Sequence, residues 1–299
     1  MDRRDFIKSV VGASLLAGMP AGCNSQFAKE SARRPRKAVL KLSCQEIRFG
    51  GKSSLAEKVA KLDKWGAAAI ELPGKDLPNR VKEVKDAIKG TNIKISAVCV
   101  GYKGSIISDD VEKRKAAAES IKQILAAAGE LDATGMIIVP AFKKETKLDC
   151  WEAREVLVEQ LQELGDYAAK CGTRIIIEPL NRKEAIFLRL LADAAAICRD
   201  VNNTGVAMMG DFYHMNLEET SDMGAFLSAG RYLHHVHLAS ALRNLPGQDE
   251  RSFVDGFRGL KMIGYQDYCS LECHVKGDAD IEIPKSFRFL EEQWRQATI

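Results

Sequence analysis

The sequence has no charge excess in its body, no CxxC pair, few histidines and no apolar run long enough to cross a bilayer. Residues 1–38 carry eight Lys/Arg against three Asp/Glu, leaving 36 basic and 38 acidic residues in the remainder, a net charge of −2. Such a balance speaks against a basic face that tracks nucleic-acid phosphates. Among the eight cysteines, Cys44, Cys99, Cys269 and Cys273 sit in apolar strand-like runs and Cys198 in a helical one. Without CxxC spacing they read as buried reduced thiols acting as small hydrophobes, not as a disulfide framework. The five histidines all lie from His214 onward, so nothing earlier offers an imidazole to a site.

The N-terminal apolar run from Val10 to Ala17 is too short for a stable membrane span and has the length of a signal h-region. Arg3 and Arg4 stand before it in MDRRDFIK, which resembles a twin-arginine export signal. Cys23 follows Pro20-Ala21-Gly22 and looks like a lipoprotein processing site, although Pro20 stands where Leu or Val is usual. An export signal over residues 1–23 is therefore expected, with a lipid anchor at Cys23. Residues 24–38, polar and basic with no apolar period, are expected to form a flexible tether. The expected location is the periplasm, free or as a membrane-anchored lipoprotein.

With 46% hydrophobic and 28% charged residues, the chain has the composition of a soluble globular protein. From residue 39 short apolar runs alternate with helix-period stretches. The expected strands are Val39–Cys44, Ala67–Leu72, Lys94–Val100, Gly135–Pro140, Arg174–Pro179, Val206–Asp211, Leu233–Leu238 and Tyr268–Cys273. Nearly continuous apolar runs of this kind mark parallel strands covered on both faces. Between them lie amphipathic stretches such as Ser54–Trp65, Val111–Leu131 and Trp151–Cys171, and Pro284–Ala297 reads as a final helix. Eight strands in strict alternation predict one α/β domain over 39–299, a closed (β/α)8 TIM barrel. No Gly-x-Gly-x-x-Gly turn follows the first strand, so a doubly wound sheet lacks its signature.

Four segments then gain meaning: IIIEPLNR, MMGDFYHMN, HHVHLAS and CSLECH. They place Glu178, Asp211, His237 and Glu272 at the ends of strands five to eight, where barrel enzymes gather their catalytic groups. Two glutamates, an aspartate and a histidine form an oxygen-rich set suited to a divalent cation. His235, two residues before His237, faces the same side and is expected in an inner barrel layer, whereas His234 faces the helices. Glu71, ending strand two, is expected as an extra polar group in the mouth.

IEPLNRKE, GDFYHMNLEE, HVHLASALRNLPG and SLEC resemble the motifs of the sugar isomerase/epimerase superfamily of xylose isomerase-like barrels, closest in motif to ketose 3-epimerases. The resemblance covers most of the chain from about residue 39 and is most specific from 174 to 273. It implies that Glu178, Asp211, His237 and Glu272 bind Mn2+, Mg2+ or Co2+, with Zn2+ also compatible. It further implies that Glu178 and Glu272 act as the acid–base pair. Glu184 and His214 would contact substrate hydroxyls, and Arg243 would hold a substrate oxygen near the metal. Read alone, Glu184 is an acidic residue at a helix start, Arg243 a solvated loop cation and His214 a structural histidine. The implied chemistry is proton abstraction α to a carbonyl through a metal-stabilised enediolate.

The related AP endonucleases need histidines after strands two and three and an acid–histidine pair after strand seven, none of which occurs here. Ser240 and Leu242 depart from the epimerase pattern, standing where more polar residues are common. Export directs the expected substrate toward unphosphorylated sugars, keto-sugars or glycosides. In a 3-keto-glycoside the same groups could expel the aglycone by β-elimination, a lyase reaction. A non-catalytic sugar-binding surface protein is the further alternative. Barrels of this type often associate, so a homo-oligomer is also expected.

Overall fold

The computed structural model describes residues 37–50, 53–143 and 145–299; the segment expected as an export signal, Cys23 and all but the end of the expected tether lie outside them. Eight strands, β1 (Lys41–Gln45), β2 (Ala69–Pro73), β3 (Lys94–Cys99), β4 (Met136–Ile138), β5 (Ile175–Ile177), β6 (Val206–Asp211), β7 (Leu233–Leu238) and β8 (Tyr268–Leu271), form a closed barrel in chain order. Parallel pairing of β1 with β8, Ser43 opposite Ser270, shuts the ring. This is a TIM barrel, as the alternation predicted. The connecting helices are α1 (Leu55–Lys64), α2 (Leu77–Ile88), α3 (Val111–Glu130), α4 (Cys150–Lys170), α5 (Leu191–Val201), α6 (Phe212–Glu218), α7 (Asp222–Ala229), α8 (Val254–Met262) and α9 (Ala279–Gln296).

Local chemistry starts these helices where the chain leaves the sheet. Ser54 and Glu57 form a capping box at α1, the Ser54 N–H donating to Glu57 Oε2 at 2.7 Å. Asp149 and Glu152 repeat the device at α4. Leu157, Leu161, Leu164 and Ala168 of α4 are buried at helical spacing, with Val156 half-buried beside them, so the amphipathic stretch Trp151–Cys171 turns its apolar side to the barrel. The final helix differs from its expected start. It begins at Ala279, five residues before Pro284, because Asp278 accepts the Asp280 N–H at 2.9 Å as N-cap and Ile283 anchors the first turns. Pro284 is carried inside it, where it lacks an N–H for the ladder.

The barrel interior is divided. Ala97, Ile137, Ile176, Ala207 and Met209, from β3 to β6, form an apolar cluster. On the opposite side β7, β8, β1 and β2 contribute buried polar groups, His235, Ser270, Ser43 and Glu71. Side chains at the C-terminal ends of the strands therefore rest on hydrocarbon on one side and on hydrogen-bonding groups on the other.

One close approach fixes where β6 starts. A Cβ added to Gly205 would lie 2.0 Å from the Gly165 carbonyl oxygen, and one on Gly165 would lie 2.6 Å from Val206 Cγ2. The backbone of α4 thus rests directly on the turn into the strand that ends in Asp211. Gly205→Ala is expected to cost about 1–3 kcal/mol as an overpacking change. A urea titration should show a lower midpoint with an unchanged slope.

Candidate metal centre

Glu178 directly follows β5, Asp211 ends β6, His237 is next to last in β7 and Glu272 directly follows β8. Strand pairing fixes their backbones. Asp211 and His237 are register partners, the Glu178 N–H donates to the Ile138 carbonyl at 3.0 Å, and the Glu272 N–H to that of Leu238 at 3.3 Å. One ligand atom from each of the four lies within 4.8 Å of all the others. The separations fall within reach of one bound ion. His237 Nδ1 is 3.3 Å from Glu272 Oε2 and 3.7 Å from Glu178 Oε1.

The donor atoms fit a cation in a second way. Glu178 Oε1, Asp211 Oδ2 and His237 Nδ1 are buried without hydrogen-bond partners among the described residues. Buried polar atoms are normally satisfied, and three converging orphans of ligand type mark a position for a group that accepts their lone pairs. Burial pushes the Glu178 and Asp211 carboxyls above their usual range, Asp211 further because of the Glu272 charge. Burial would also raise Glu272, but the charges of His237 and Arg243 hold it well below that range. His237 shows the reverse balance. Burial would lower it, yet Glu71 and Glu272 hold its imidazole well above its usual range. A proton on Nδ1 there occupies the position a cation would take, so cation uptake should release it.

Behind His237 lies a second carboxylate. Glu71, expected in the mouth, is fully buried and accepts from the two inward-facing histidines of β7: His235 Nε2 at 2.8 Å, His237 Nε2 at 3.1 Å. Donation from Nε2 fixes the ring orientation of His237 and turns Nδ1 toward the four-residue cluster. His235 is accordingly a buried inner-layer residue, as its strand position predicted, whereas His234 bonds Asp267 at the opposite face.

The other three predicted residues also assemble at the cluster. His214, on α6, has Nε2 3.5 Å from Asp211 Oδ2 and 4.0 Å from Glu178 Oε1. Its Nδ1 accepts the Asn181 backbone N–H at 3.2 Å, which assigns the ring proton to Nε2 and aims that N–H into the site. Burial, reinforced by Arg243, pushes its pKa down to about 3, so the ring stays neutral. Arg243 stands between two carboxylates, with Glu272 Oε2 at 2.9 Å and Glu184 Oε1 at 3.6 Å, and its guanidinium lies over the Tyr213 ring at 4.7 Å. Its backbone is left-handed, φ 57°, held by bonds to the Ser240 carbonyl and from the His274 N–H. Glu184 is one-third exposed and accepts from Asn181 Nδ2 at 2.9 Å. Asn181 and Tyr213 were not singled out from the sequence, although both lie inside the quoted motifs. The Asn181–His214 bond becomes visible only when the segment after β5 meets α6, and the Tyr213–Arg243 contact only when α6 meets the loop after β7.

A family model described as a xylose isomerase-like TIM barrel matches residues 59–293. The chain belongs to that family. Among relatives of this xylose isomerase-like barrel is 3-dehydro-D-guloside 4-epimerase of Escherichia coli (strain K12), 31% identical over 235 residues, 75% of this chain and 89% of the relative. D-psicose 3-epimerase of Ruminiclostridium cellulolyticum is 29% identical over 235 residues, 74% of this chain and 77% of the relative. The crystal structure of 3-keto-D-glucoside 4-epimerase from E. coli superposes with a TM-score of 0.78 at 29% identity, covering 85% of this chain and all of that one. A family 2 AP endonuclease from Brucella melitensis has a TM-score of 0.71 at 18% identity, a likeness of fold alone.

Proposed function

We propose that the protein is a divalent-metal-dependent epimerase of unphosphorylated keto-sugars, keto-glycosides foremost, acting at a carbon next to a carbonyl. The observation that carries this reading is the convergence of Glu178 and Glu272 with Asp211 and His237 on one point, where the facing atoms of Glu178, Asp211 and His237 lack partners among the described residues. Those four residues would hold the cation. When bound, it supplies Lewis-acid stabilisation of charge developing on the carbonyl oxygen.

The chain's own groups supply the rest. Glu178 and Glu272 come from β5 and β8, the outer two of the four contributing strands. One carboxylate takes the α-proton and the other returns a proton to the opposite face, which inverts the carbon. The His214 Nε2–H has a hydrogen to donate to a substrate hydroxyl. Arg243 and Glu184, paired at 3.6 Å, form a polar edge that a sugar can engage.

The relatives' names share one chemical feature. A 3-keto sugar epimerised at C4 and a ketose epimerised at C3 both exchange a proton beside the carbonyl. Two of those names specify glycosides, which supports a substrate that keeps its aglycone. Export rests on residues 1–23 and supports a substrate met outside the cytoplasm.

Product analysis by NMR tests the reading with Mn2+-loaded protein and either a methyl 3-keto-glucoside or D-psicose. The C4 epimer of the keto-glucoside is expected to form, with the psicose reaction slower. Aglycone release without epimer would replace epimerisation with the lyase reaction, and binding without turnover of either would leave only a sugar-binding protein.

A further inference from the structure

Gln45 ends β1 and carried no motif, yet its side chain joins three charged groups. Its Nε2 donates to Glu71 Oε1 at 2.7 Å and to Glu272 Oε1 at 3.1 Å. Arg48 Nε donates to its Oε1 at 2.9 Å, while Arg48 NH1 reaches the Cys273 carbonyl at 3.2 Å. Gln45 and Glu71 are buried, and Arg48 and Glu272 are partly so. Glu71 bonds His237 Nε2, and His237 Nδ1 faces Glu272 Oε2, which closes a ring of side chains through Gln45, Glu71, His237 and Glu272. These residues come from or directly follow β1, β2, β7 and β8, neighbours around the barrel.

The ring has one stable arrangement. An amide has two hydrogens on nitrogen and none on oxygen. With nitrogen toward the two carboxylates and oxygen toward the guanidinium, every contact is donor to acceptor. Flipping the amide would set its oxygen against two carboxylates and its NH2 against Arg48, leaving buried charged groups unpaired. Arg48 thereby selects the orientation of Gln45, and Gln45 in turn fixes the rotation of Glu272. With Oε1 held, Oε2 faces His237 and Arg243.

We infer that Gln45 is a positioning residue, oriented by Arg48, that holds the Glu272 carboxylate and the Glu71–His237 pair in one geometry for the cation and the transferred proton. The inference rests on the metal-site reading of the preceding subsection. It separates Gln45 from a substrate contact. A cavity of about 150 Å³ opens between Gln45, Leu72, Pro73, Cys99 and Glu272, but both Gln45 amide hydrogens are already directed at carboxylates. A residue with no hydrogen to offer should act on turnover more than on substrate affinity.

Co2+ alone is the probe, followed by its visible absorption during titration of the metal-free full chain. Gln45→Met keeps the length of the side chain and removes its donors. It is expected to weaken Co2+ binding about 10- to 100-fold, the usual effect of losing an outer partner of a metal ligand. The absorption bands should shift, and in Mn2+ turnover kcat should fall while KM changes little. Arg48→Met leaves the amide in place but unoriented, and should move both readouts the same way by a smaller amount. It also carries the test if Gln45→Met fails to fold. Wild-type Co2+ binding with an unchanged spectrum and affinity in the folded variants would overturn this inference alone. A wild-type chain that takes up no Co2+ would overturn the metal-site reading and this inference with it.

Discussion

Glu178→Gln and Glu272→Gln should each lower kcat by about 10²- to 10⁴-fold, the range for loss of a positioned acid or base. The substitution keeps shape and removes the ability to exchange a proton with substrate. The two variants should differ in what accompanies that loss. Glu178 Oε1 has no hydrogen-bond partner among the described residues, so an amide there disturbs little apart from cation ligation and proton transfer. Glu272 accepts from Gln45 Nε2 and from Arg243 NH2, so an amide NH2 on either side meets a donor. Glu272→Gln should therefore also weaken Co2+ binding more than Glu178→Gln does. Because the two groups serve one proton relay, the double variant should lose little beyond the more damaged single variant. Steady-state rates together with Co2+ titration separate the effects. Turnover within threefold of wild type in both variants would remove the acid–base assignment.

Removal of the cation should have the second large effect, on stability as well as activity. In its absence Glu178, Asp211 and Glu272 crowd around His237 with Arg243 as the nearby guanidinium, and like charges at such separations repel strongly inside a protein. An ion bound to the folded chain alone, at 100 times its Kd, stabilises by about 2.7 kcal/mol. For a domain of this size that corresponds to a rise in Tm of roughly 5–10 °C. Calorimetry in EDTA and in Mn2+ should show this difference, and activity should follow the metal. His237→Ala should abolish the shift. A shift that persisted in that variant would place the ion elsewhere.

The sequence was most legible where local pattern and barrel topology act together. Val206–Asp211 and Leu233–Leu238 are strands over the expected residues, because each is a mostly buried run with a polar group, Asp211 or His237, at or next to its end. β4 and β5 are shorter than expected, three residues each, since the chain bends away after Ile138 and Ile177 toward loops that pair Lys143 with Glu184. The four cluster residues could be named because each lies in its own motif. Gln45, Arg48 and the buried role of Glu71 could not. Gln45 meets Glu71 through the β1–β2 register and Glu272 across the closure of the ring, contacts spanning 26 and 227 positions of sequence. Ring closure itself creates that network, and no local period encodes it.

The most direct measurement is deuterium uptake from D2O into a methyl 3-keto-glucoside incubated with Mn2+-loaded protein, followed by NMR. One deuterium should enter at the carbon beside the ketone as the C4 epimer appears, with both lost in Glu178→Gln and Glu272→Gln. A substrate that is bound by the metal-loaded protein and takes up no deuterium would contradict the account.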